Sequence, residues 1–350
     1  MAAGVGKSTM ASKLSYYLSM LQRLRPRQAS PKIWNYAKYR ILPKRPIVAC
    51  RRYTPQIIGL SVTKRCNLNC GYCNAAKMLH EGKSDWIEAE ATLEKVQRLF
   101  ERPLCRNCLL VDLLGGEPLL VKDLDKIVAF LTHTGRLTNT STNGLLLASR
   151  IKDLKRAGIS RINVSLYEAN RSVLDRDLCA INSVFPVHTS IVLLRSQVER
   201  DPERLLETVR FAKEQGCLSM RFWMYRPMGL DPRSDEVLQD SNPAYLEFRR
   251  RVDEAFPNFC LWPAVVQAGR VCKSCSQLWQ RITCDMLGNM TPCCGIDEVL
   301  SGSEGNLFQS DADVVFNHPR LVAMRKQLLD PNAEPPGPCA HCNLLGETGW

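Results

Sequence analysis

The sequence lacks three features that many proteins of its size possess. None of the apolar runs in its 350 residues reaches the roughly 18 residues that a membrane-spanning helix needs. No short basic stretch is followed by an apolar run and a small-residue cleavage site, so a secretory signal peptide is not indicated. No acidic residue precedes Glu81, whereas fifteen Lys and Arg residues occur in the first 80 positions. The formal charge of +12 is therefore concentrated at the start, and the remainder is slightly acidic.

Cysteine, by contrast, is abundant. The chain contains 16 cysteines, several of them in C-x2-C pairs. Paired cysteines without a secretory pattern favour metal binding in a reducing compartment over a framework of disulfides. We therefore expect a cytoplasmic protein with metal centres and a core of ordinary size.

Three cysteines form the densest group in the chain. Cys66, Cys70 and Cys73 have the spacing C-x3-C-x2-C and directly follow the strand-like run from Ile57 to Val62. Thiolates suit iron–sulfur clusters, and each cysteine can bind one iron of a [4Fe–4S] cube, so that the fourth iron remains open. A zinc knuckle is the alternative, although zinc usually takes four ligands from paired C-x2-C units.

This cysteine group, with Tyr72 just before the last cysteine, resembles the signature of the radical S-adenosylmethionine (SAM) enzymes. The resemblance implies that Cys66, Cys70 and Cys73 bind a [4Fe–4S] cluster whose open iron is chelated by SAM. It also implies reductive cleavage of SAM and abstraction of a substrate hydrogen by the resulting radical. The electron would come from an external one-electron donor such as a flavodoxin or ferredoxin.

Further positions match places where that family contacts SAM. The run Gly115-Gly116-Glu117-Pro118 resembles the motif that meets the methionyl ammonium, although a tight strand-to-helix turn would use the same residues. Asn143 and Ser165 lie at the ends of the next two predicted strands, and Ser165 would bind the ribose or carboxylate of SAM. Arg195 would pair with the SAM carboxylate, because a guanidinium fork suits that geometry; a solvated surface arginine is the alternative.

From Pro55 onward, short strand-like runs alternate with helical periodicity. We predict strands at 56–63, 109–114, 138–142, 161–166, 187–194 and 219–225, and helices at 89–101, 124–133, 145–157, 172–182 and 203–214. Six units of this kind, with helices ending at glycine, predict a parallel sheet with active residues at the carboxyl ends of its strands. The resemblance implies an α/β fold, a partial (β/α)6 TIM-like barrel of radical SAM type, over residues 55–228.

Residues 229–350 form a second cysteine-rich region. Cys275, Gly288 and Cys293 are separated by twelve and four residues, and Cys339 and Cys342 follow as a C-x2-C pair. This pattern resembles the SPASM and Twitch extensions of radical SAM enzymes. It implies one auxiliary [4Fe–4S] cluster on Cys275, Cys293, Cys339 and Cys342, because the further cysteines of full SPASM are missing. Cys272 also fits the spacing as first ligand, and a zinc site remains the alternative.

Other cysteines lie outside these two sets. Cys105 and Cys108 form a C-x2-C pair that we expect to be structural. Cys260, Cys284 and Cys294 are candidate hydrogen donors to a substrate radical, although most free cysteines are buried packing residues.

Residues 1–54 form a basic amphipathic segment. They mix apolar and aromatic residues with Lys and Arg, and two short helices separated near Pro26 to Pro31 fit the pattern. Such helices often lie on anionic membrane surfaces, so peripheral membrane contact is one interpretation. The other is that the helices pack on the barrel and expose their charges. An organelle transit peptide fits the aromatic content poorly.

Three functions compete at this point. A single auxiliary cluster favours oxidation or epimerisation of a sugar, cyclitol or related small molecule, which could be anionic. Maturation of a ribosomally made peptide is the second, although such enzymes often carry a leader-binding domain ahead of the barrel. A non-catalytic zinc- or RNA-binding protein is the third, since aromatic and basic residues near Trp34 could track phosphates; we do not expect a nucleic-acid partner.

Overall fold

The computed structural model describes residues 26–41, 54–71, 73, 90–225, 234–263, 265, 275–293, 296, 298–339 and 342. The strands are β1 Ile57–Thr63, β2 Leu110–Gly115, β3 Leu137–Thr142, β4 Arg161–Ser165, β5 His188–Leu193, β6 Met220–Met224, β7 Cys260–Leu261, β8 Arg281–Asp285 and β9 Met290–Thr291. The α-helices are α1 Pro26–Ile41, α2 Leu93–Glu101, α3 Pro103–Arg106, α4 Leu124–His133, α5 Leu147–Ala157, α6 Glu168–Val184, α7 Arg195–Arg200, α8 Pro202–Glu214, α9 Pro243–Ala255, α10 Gln277–Gln280, α11 Ala312–Phe316 and α12 Pro319–Leu329.

One nine-stranded sheet organises these elements. Its strand order is β7-β6-β5-β4-β3-β2-β1-β8-β9, and all neighbours are parallel except β8 and β9. Strands β1 to β6 lie side by side in chain order, each separated from the next by helices. This is the predicted partial (β/α)6 barrel, with the carboxyl ends of β1 to β6 at one edge.

Local sequence signals explain where several helices begin and end. Thr92 caps α2 by accepting a hydrogen bond from Lys95 N at 3.3 Å. Asp201 caps α8 in the same way, through Arg204 N at 3.2 Å. Gly158 ends α5 with a φ of +87°, which only glycine adopts without steric cost.

The two faces of the sheet differ in chemistry. The outward face carries buried apolar side chains that pack under the helices, among them Leu60, Val111, Leu113, Ile162, Val164 and Phe222. Phe222 stacks on Trp262 with ring centroids 4.4 Å apart. The register places Asp112, Asn139, Arg161, His188, Arg221 and Arg281 on the opposite, inner face. An inner face of this kind is suited to a polar ligand, since a closed apolar core would exclude charged side chains.

Helix α1 packs on the barrel as a single helix, with Pro31 inside it. The described helix begins at Pro26, within the predicted separation, but it continues through Pro31. The proline removes one hydrogen bond of the second turn, whereas burial of the inner helix face stabilises all four turns. Asn35 anchors this face, because its Nδ2 donates to Thr54 O at 3.1 Å and to Asn107 O at 3.2 Å. The first of the two predicted helices, which precedes Pro26, lies outside the described residues.

The cysteine-rich region shares the same sheet. β8 pairs with β1 over five residues, and β7 pairs with β6. Arg325 in α12 is fully buried and donates to the carbonyl of Leu278 in α10 through Nε at 3.0 Å and Nη2 at 2.8 Å. The division of the chain near residue 228 stays a prediction.

Across the described ranges, no helix combines the length and apolar character that a bilayer span requires.

Candidate active site

The loop with Cys66, Cys70 and Cys73 begins at the carboxyl end of β1. All three thiols are free and half-buried. Cys73 N donates to Cys70 O at 2.9 Å, and Leu68 N donates to Cys66 Sγ at 3.4 Å, a bond that favours a thiolate at this sulfur. Tyr72 lies outside the described residues.

Burial raises the pKa of Cys66, and it raises the pKa of Cys70 to about 11. For Cys70, the nearby Cys73 and then Cys66 add to the effect. The three sulfurs are therefore close enough to interact as charges. Three soft thiolates that repel one another fit a cationic iron–sulfur cluster. Each sulfur binds one iron of the cluster, and each thiol loses its proton on binding.

Gly115 and Gly116 lie against the backbone that leads into the cysteine loop. Gly115 has a φ of +139°, and a Cβ on it would collide with Thr63 O. A Cβ on Gly116 would collide with Arg65 O. Gly116 N donates to Thr63 O at 2.8 Å, and Glu117 N donates to Arg65 O at 2.7 Å. The glycines thus let the end of β2 bind the entrance of the loop directly.

The buried carboxylate of Glu117 joins the ends of β2 and β3. Its Oε1 accepts from Thr142 Oγ1 at 2.7 Å and from Leu119 N at 3.0 Å, and its Oε2 accepts from Asn143 N at 2.7 Å. Burial raises the pKa of this carboxyl against the effect of the three donors. A carboxylate offers about four acceptor positions, so one remains for a cationic ligand. Pro118 opens the 3-10 turn that Glu117 caps.

Asn143 connects β3 to the cysteine loop. Its Nδ2 donates to Asn67 Oδ1 at 2.7 Å, and its own carbonyl accepts from Asn170 Nδ2 at 2.7 Å. Asn170, which is fully buried, also donates to Ser165 O at 2.7 Å. Asn67 and Asn170 were not predicted to be site residues. Only the place of Asn67 between two of the cysteines was a sequence signal, because the other contacts join separate strands.

Ser165 and Arg195 lie at the carboxyl ends of β4 and β5, on the same edge of the sheet as the cysteine loop. Ser165 is half-buried. Arg195 begins α7, and its Nε is buried without a hydrogen-bond partner among the described residues. A buried donor of this kind is costly unless a ligand accepts from it.

The second cysteine set begins on the amino-terminal side of β8. Cys275 precedes α10 and β8, while β9 returns antiparallel toward the start of β8 before Cys293. Burial, and to a smaller extent the nearby Cys342 and Cys275, raise the pKa of Cys339 to about 12. Cys342 N donates to Cys339 O at 3.0 Å. The structure thus brings Cys275, Cys339 and Cys342 into one region, whereas Cys272 lies outside the described residues.

The turn geometry explains why position 288, in the predicted cysteine spacing, is a glycine. It has a φ of +84° in the turn between β8 and β9, where a Cβ would contact Phe308 at 2.5 Å. No three Cys, His, Asp or Glu side chains of the described segments converge as a single metal ion requires. A cube spaces its thiolates more widely, because each of them binds a different iron. The chemistry of this region therefore fits an auxiliary cluster.

Cys105, Cys108 and Cys284 form part of the apolar core. Burial raises the pKa of all three thiols, which agrees with the structural role expected for Cys105 and Cys108. Cys284 is opposite Leu60 in the register of β8 and β1, on the same face as Ile282. Its side chain therefore lies on the outward face and not on the inner face of the barrel. Cys260 is also buried, and Cys294 lies outside the described residues.

Comparisons with known proteins agree with this geometry. The chain is 29% identical over 230 residues to a probable GTP 3′,8-cyclase of Aeropyrum pernix, covering 61% of this chain and 60% of the relative. It is 28% identical over 194 residues to the AdoMet-dependent heme synthase of Methanosarcina barkeri, covering 52% and 54%. The chain thus spans less than two thirds of the length of either relative.

Solved structures with the same fold include SuiB of Streptococcus suis. SuiB bound to SAM matches with a TM-score of 0.60 at 16% identity, over 78% of this chain and 68% of that one. SuiB bound to its precursor peptide SuiA matches with a TM-score of 0.59 at 16% identity, over 83% and 70%. Residues 60–241, just over half of the sequence, match the profile of the Radical SAM superfamily. The chain therefore belongs to the Radical SAM superfamily, and a [4Fe–4S] cluster with SAM is its cofactor.

Proposed function

We propose that this enzyme abstracts a hydrogen atom from a polar small molecule bound against the inner face of its barrel, and thereby oxidises or epimerises a sugar- or cyclitol-like substrate. The polar inner face carries this proposal. The Oγ of Ser61 and the Oγ1 of Thr283 are buried on that face without hydrogen-bond partners among the described residues. Hydroxyl groups of a substrate would satisfy them, since buried polar groups are normally paired.

We assign the site residues as follows. Cys66, Cys70 and Cys73 hold the cluster, and Tyr72 flanks it. When bound, the cluster with SAM supplies the 5′-deoxyadenosyl radical that abstracts hydrogen. The remaining site residues orient SAM. The methionyl ammonium of SAM lies at Gly115, Gly116, Glu117 and Pro118, with Asn143 and Ser165 beside it. The SAM carboxylate lies at Arg195.

Two features support those assignments. Glu117 retains one acceptor position, and the Nε of Arg195 lacks an acceptor in the described part of the chain. Opposite charges on SAM, an ammonium and a carboxylate, match these two groups. Ser165 and Asn143 lie between them, at the ends of β4 and β3.

The second cysteine set is assigned a supporting role. We propose that residues 229–350 form the auxiliary region and that Cys275, Cys293, Cys339 and Cys342 bind one [4Fe–4S] cluster. Four thiolates would leave that cluster no open iron, so it would accept an electron or stabilise the fold. Cys275 precedes β8, whereas the cysteine loop follows β1, the parallel partner of β8.

Peptide maturation is the second candidate function. SuiB, which has the same fold, was solved with a precursor peptide. In this chain, an exposed Trp223 near the end of β6 would offer a peptide an aromatic contact at the barrel mouth.

An isotope experiment tests the proposed reaction. Cluster-loaded, oxygen-protected protein is incubated with SAM, a flavodoxin or chemical reductant, and sugars or cyclitols deuterated at their carbinol carbons. We expect deuterium in 5′-deoxyadenosine, because the hydrogen is abstracted from such a carbon. Deuterium transfer only from labelled peptides would support the second candidate. If 5′-deoxyadenosine forms but gains deuterium from no labelled polyol or peptide, both substrate classes are contradicted.

The outer face of α1 is proposed to contact an anionic lipid surface, which would place a cytoplasmic enzyme at the membrane. Ile33, Trp34 and Ile41 are exposed there, Trp34 by 61% and Ile41 by 76%. Arg40 is exposed beside them, and Lys38 Nζ lies 6.0 Å from the Trp34 ring centroid. Exposed aromatic and basic groups on one helix face, with no acidic residue in the helix, match an anionic headgroup layer.

A further inference from the structure

A continuous set of polar side chains crosses the inner face of the sheet, and we call it the polar belt. Arg281 Nη2 pairs with Asp112 Oδ2 at 2.5 Å. Asn139 Nδ2 donates to Asp112 Oδ1 at 2.8 Å, and Arg161 Nε donates to Asn139 Oδ1 at 3.0 Å. These four residues belong to the four strands β8, β2, β3 and β4, so the belt spans half of the sheet in one chain of contacts.

The belt continues across β5 and β6. His188 Nδ1 lies 2.8 Å from Ser219 Oγ in a buried hydrogen bond. Arg161 and Arg221 lie on β4 and β6, the two strands that flank β5, and both lower the pKa of His188 electrostatically. Arg221 is opposite Ser190 in the register of β5 and β6.

Positive charge exceeds negative charge in the belt. It contains the guanidinium groups of Arg161, Arg221 and Arg281 and the carboxylate of Asp112. Burial opposes ionisation of Asp112, but Arg281 and the bond from Asn139 hold its pKa below the ordinary value. Burial lowers the pKa of His188 to about 3, assisted by Arg161 and Arg221, so the imidazole is neutral at physiological pH.

Asp285 is the other acidic residue that the described strands place on this face. Asp285, at the end of β8, accepts from Leu287 N at 2.9 Å and from Asn289 N at 3.0 Å. Its carboxylate is therefore directed to the turn between β8 and β9. Guanidinium groups on one face of a sheet create a positive potential that attracts anions. Arg161, Arg221 and Arg281 therefore favour an anionic ligand on the inner face.

The belt can be reached from the barrel mouth. Trp223 stands two residues after Arg221 on β6 and is 38% exposed. The guanidinium carbon of Arg221 lies 5.0 Å from the Trp223 ring centroid. Arg221 itself is half-buried, whereas Arg161 is buried. The two arginines thus lie at successive depths below the mouth.

Gly59 keeps space open at the far side of the belt. A Cβ at this position would lie 3.1 Å from Arg281 Nη1 and 3.3 Å from Thr283 Oγ1. Any larger residue would fill the inner face between β1 and β8. Glycine in the middle of a strand lowers its stability, and here it leaves room beside a charged group.

From this arrangement we infer that Arg161 and Arg221 bind an oxyanion of the substrate, a phosphate or a carboxylate, inside the barrel. The inference rests on the proposed function, because it assigns the charge of the molecule that the inner face would hold. A guanidinium presents parallel N–H donors that match two oxygens of either anion. An anion bound there would lie against the inner face of β4 and β6, with the remainder of the substrate extending toward the SAM site.

Anion titration of the full chain tests the inference. Cluster-loaded protein with SAM is titrated anaerobically with inorganic phosphate or with acetate, at constant ionic strength maintained with chloride, and binding is followed by calorimetry. The variants are Arg221→Gln, Arg161→Gln and Arg221→Lys. The control is Arg156→Gln, since the Arg156 side chain is 80% exposed on α5.

We expect saturable binding of at least one anion to the wild type and to the control with equal affinity. Affinity should fall at least tenfold in Arg221→Gln and in Arg161→Gln, and by less in Arg221→Lys, which keeps the charge but loses the fork. Binding of phosphate alone would indicate a phosphorylated substrate, and binding of acetate as well would indicate a carboxylate. If Arg161→Gln does not fold, Arg221→Gln alone decides, since Arg221 is only half-buried.

The inference is overturned if neither anion binds the wild type saturably, or if Arg221→Gln and Arg156→Gln bind anions equally. Release of 5′-deoxyadenosine is measured in the same wild-type and Arg156→Gln preparations. SAM cleavage without anion binding would contradict only the oxyanion site. Absence of SAM cleavage would contradict the proposed function, whatever the anion titration shows.

Discussion

Single residues at the carboxyl edge of the sheet have two roles that a sequence does not separate. Gly115 and Gly116 were predicted to approach a ligand closely, and the structure shows that they approach the backbone of Thr63 and Arg65. Glu117 was predicted to meet a cation, and three of its acceptor positions already hold β2 and β3 together. The residues predicted to contact SAM therefore also position the cysteine loop.

Asn143→Ala tests this positioning role. The variant loses the bonds to Asn67 and to Leu145 N, and we expect a stability loss of about 1–3 kcal/mol because each lost hydrogen bond contributes about 0.5–1.5 kcal/mol. We also expect loss of iron from the cysteine loop and slower SAM cleavage. Asn182→Ala is the matched control, since Asn182 makes similar bonds to Gln215 O and Val187 N at the other end of the barrel. Equal iron loss in both variants would contradict a specific role for Asn143.

His188 should make stability depend on pH. Its pKa is about 3 in the folded chain and 6.5 in the unfolded one, so below pH 6.5 the unfolded state binds a proton that the folded state does not. Stability therefore falls as pH falls through this window, by up to about 1.4 kcal/mol per pH unit. Urea unfolding at pH 7 and 5.5 should show this loss in the wild type and in His133→Asn, which alters an exposed histidine. In His188→Asn the loss should be smaller, and an unchanged loss would refute the assignment.

Among the elements, those with strong periodicity could be predicted from sequence. Helix α4 matches its predicted bounds, and strands β1 to β6 lie within one or two residues of theirs. The starts of α2 and α6 differ by four residues, because the caps at Thr92 and Tyr167 decide them. Helix α1 differs most, since burial against the barrel outweighs the helix-breaking tendency of Pro31.

The lipid proposal concerns the outer face of α1. Trp34→Ser should lower affinity for vesicles of phosphatidylserine and phosphatidylcholine by about tenfold, because burying a large apolar side chain contributes about 1.5–3 kcal/mol. Co-sedimentation of the full chain with vesicles measures this affinity. Leu218→Ser, at another exposed apolar residue, should bind like the wild type. Equal binding of all three proteins, or no preference for phosphatidylserine, would dismiss the membrane contact.

For the whole molecule, local sequence predicted the six strands of the barrel. It did not predict the strands that extend the sheet beyond β1 and β6. The chain supplies β8 after a long separation, and this strand pairs with β1 instead of forming a separate unit. Periodicity cannot reveal such a pairing, because the partners are more than 200 residues apart. The polar belt was hidden for the same reason: its members are single residues on six strands, and only the register aligns them.

The proposed reaction and the assigned SAM contacts depend on one claim, that Cys66, Cys70 and Cys73 hold the cluster at which SAM is cleaved. The decisive measurement is 5′-deoxyadenosine formation and iron content in the triple variant Cys66→Ala, Cys70→Ala and Cys73→Ala. Cys179→Ala, at an exposed cysteine on α6, is the control. We predict that the triple variant forms no 5′-deoxyadenosine and keeps only the iron of an auxiliary cube, about four atoms, while Cys179→Ala behaves like the wild type. SAM cleavage that survives in the triple variant would contradict the account.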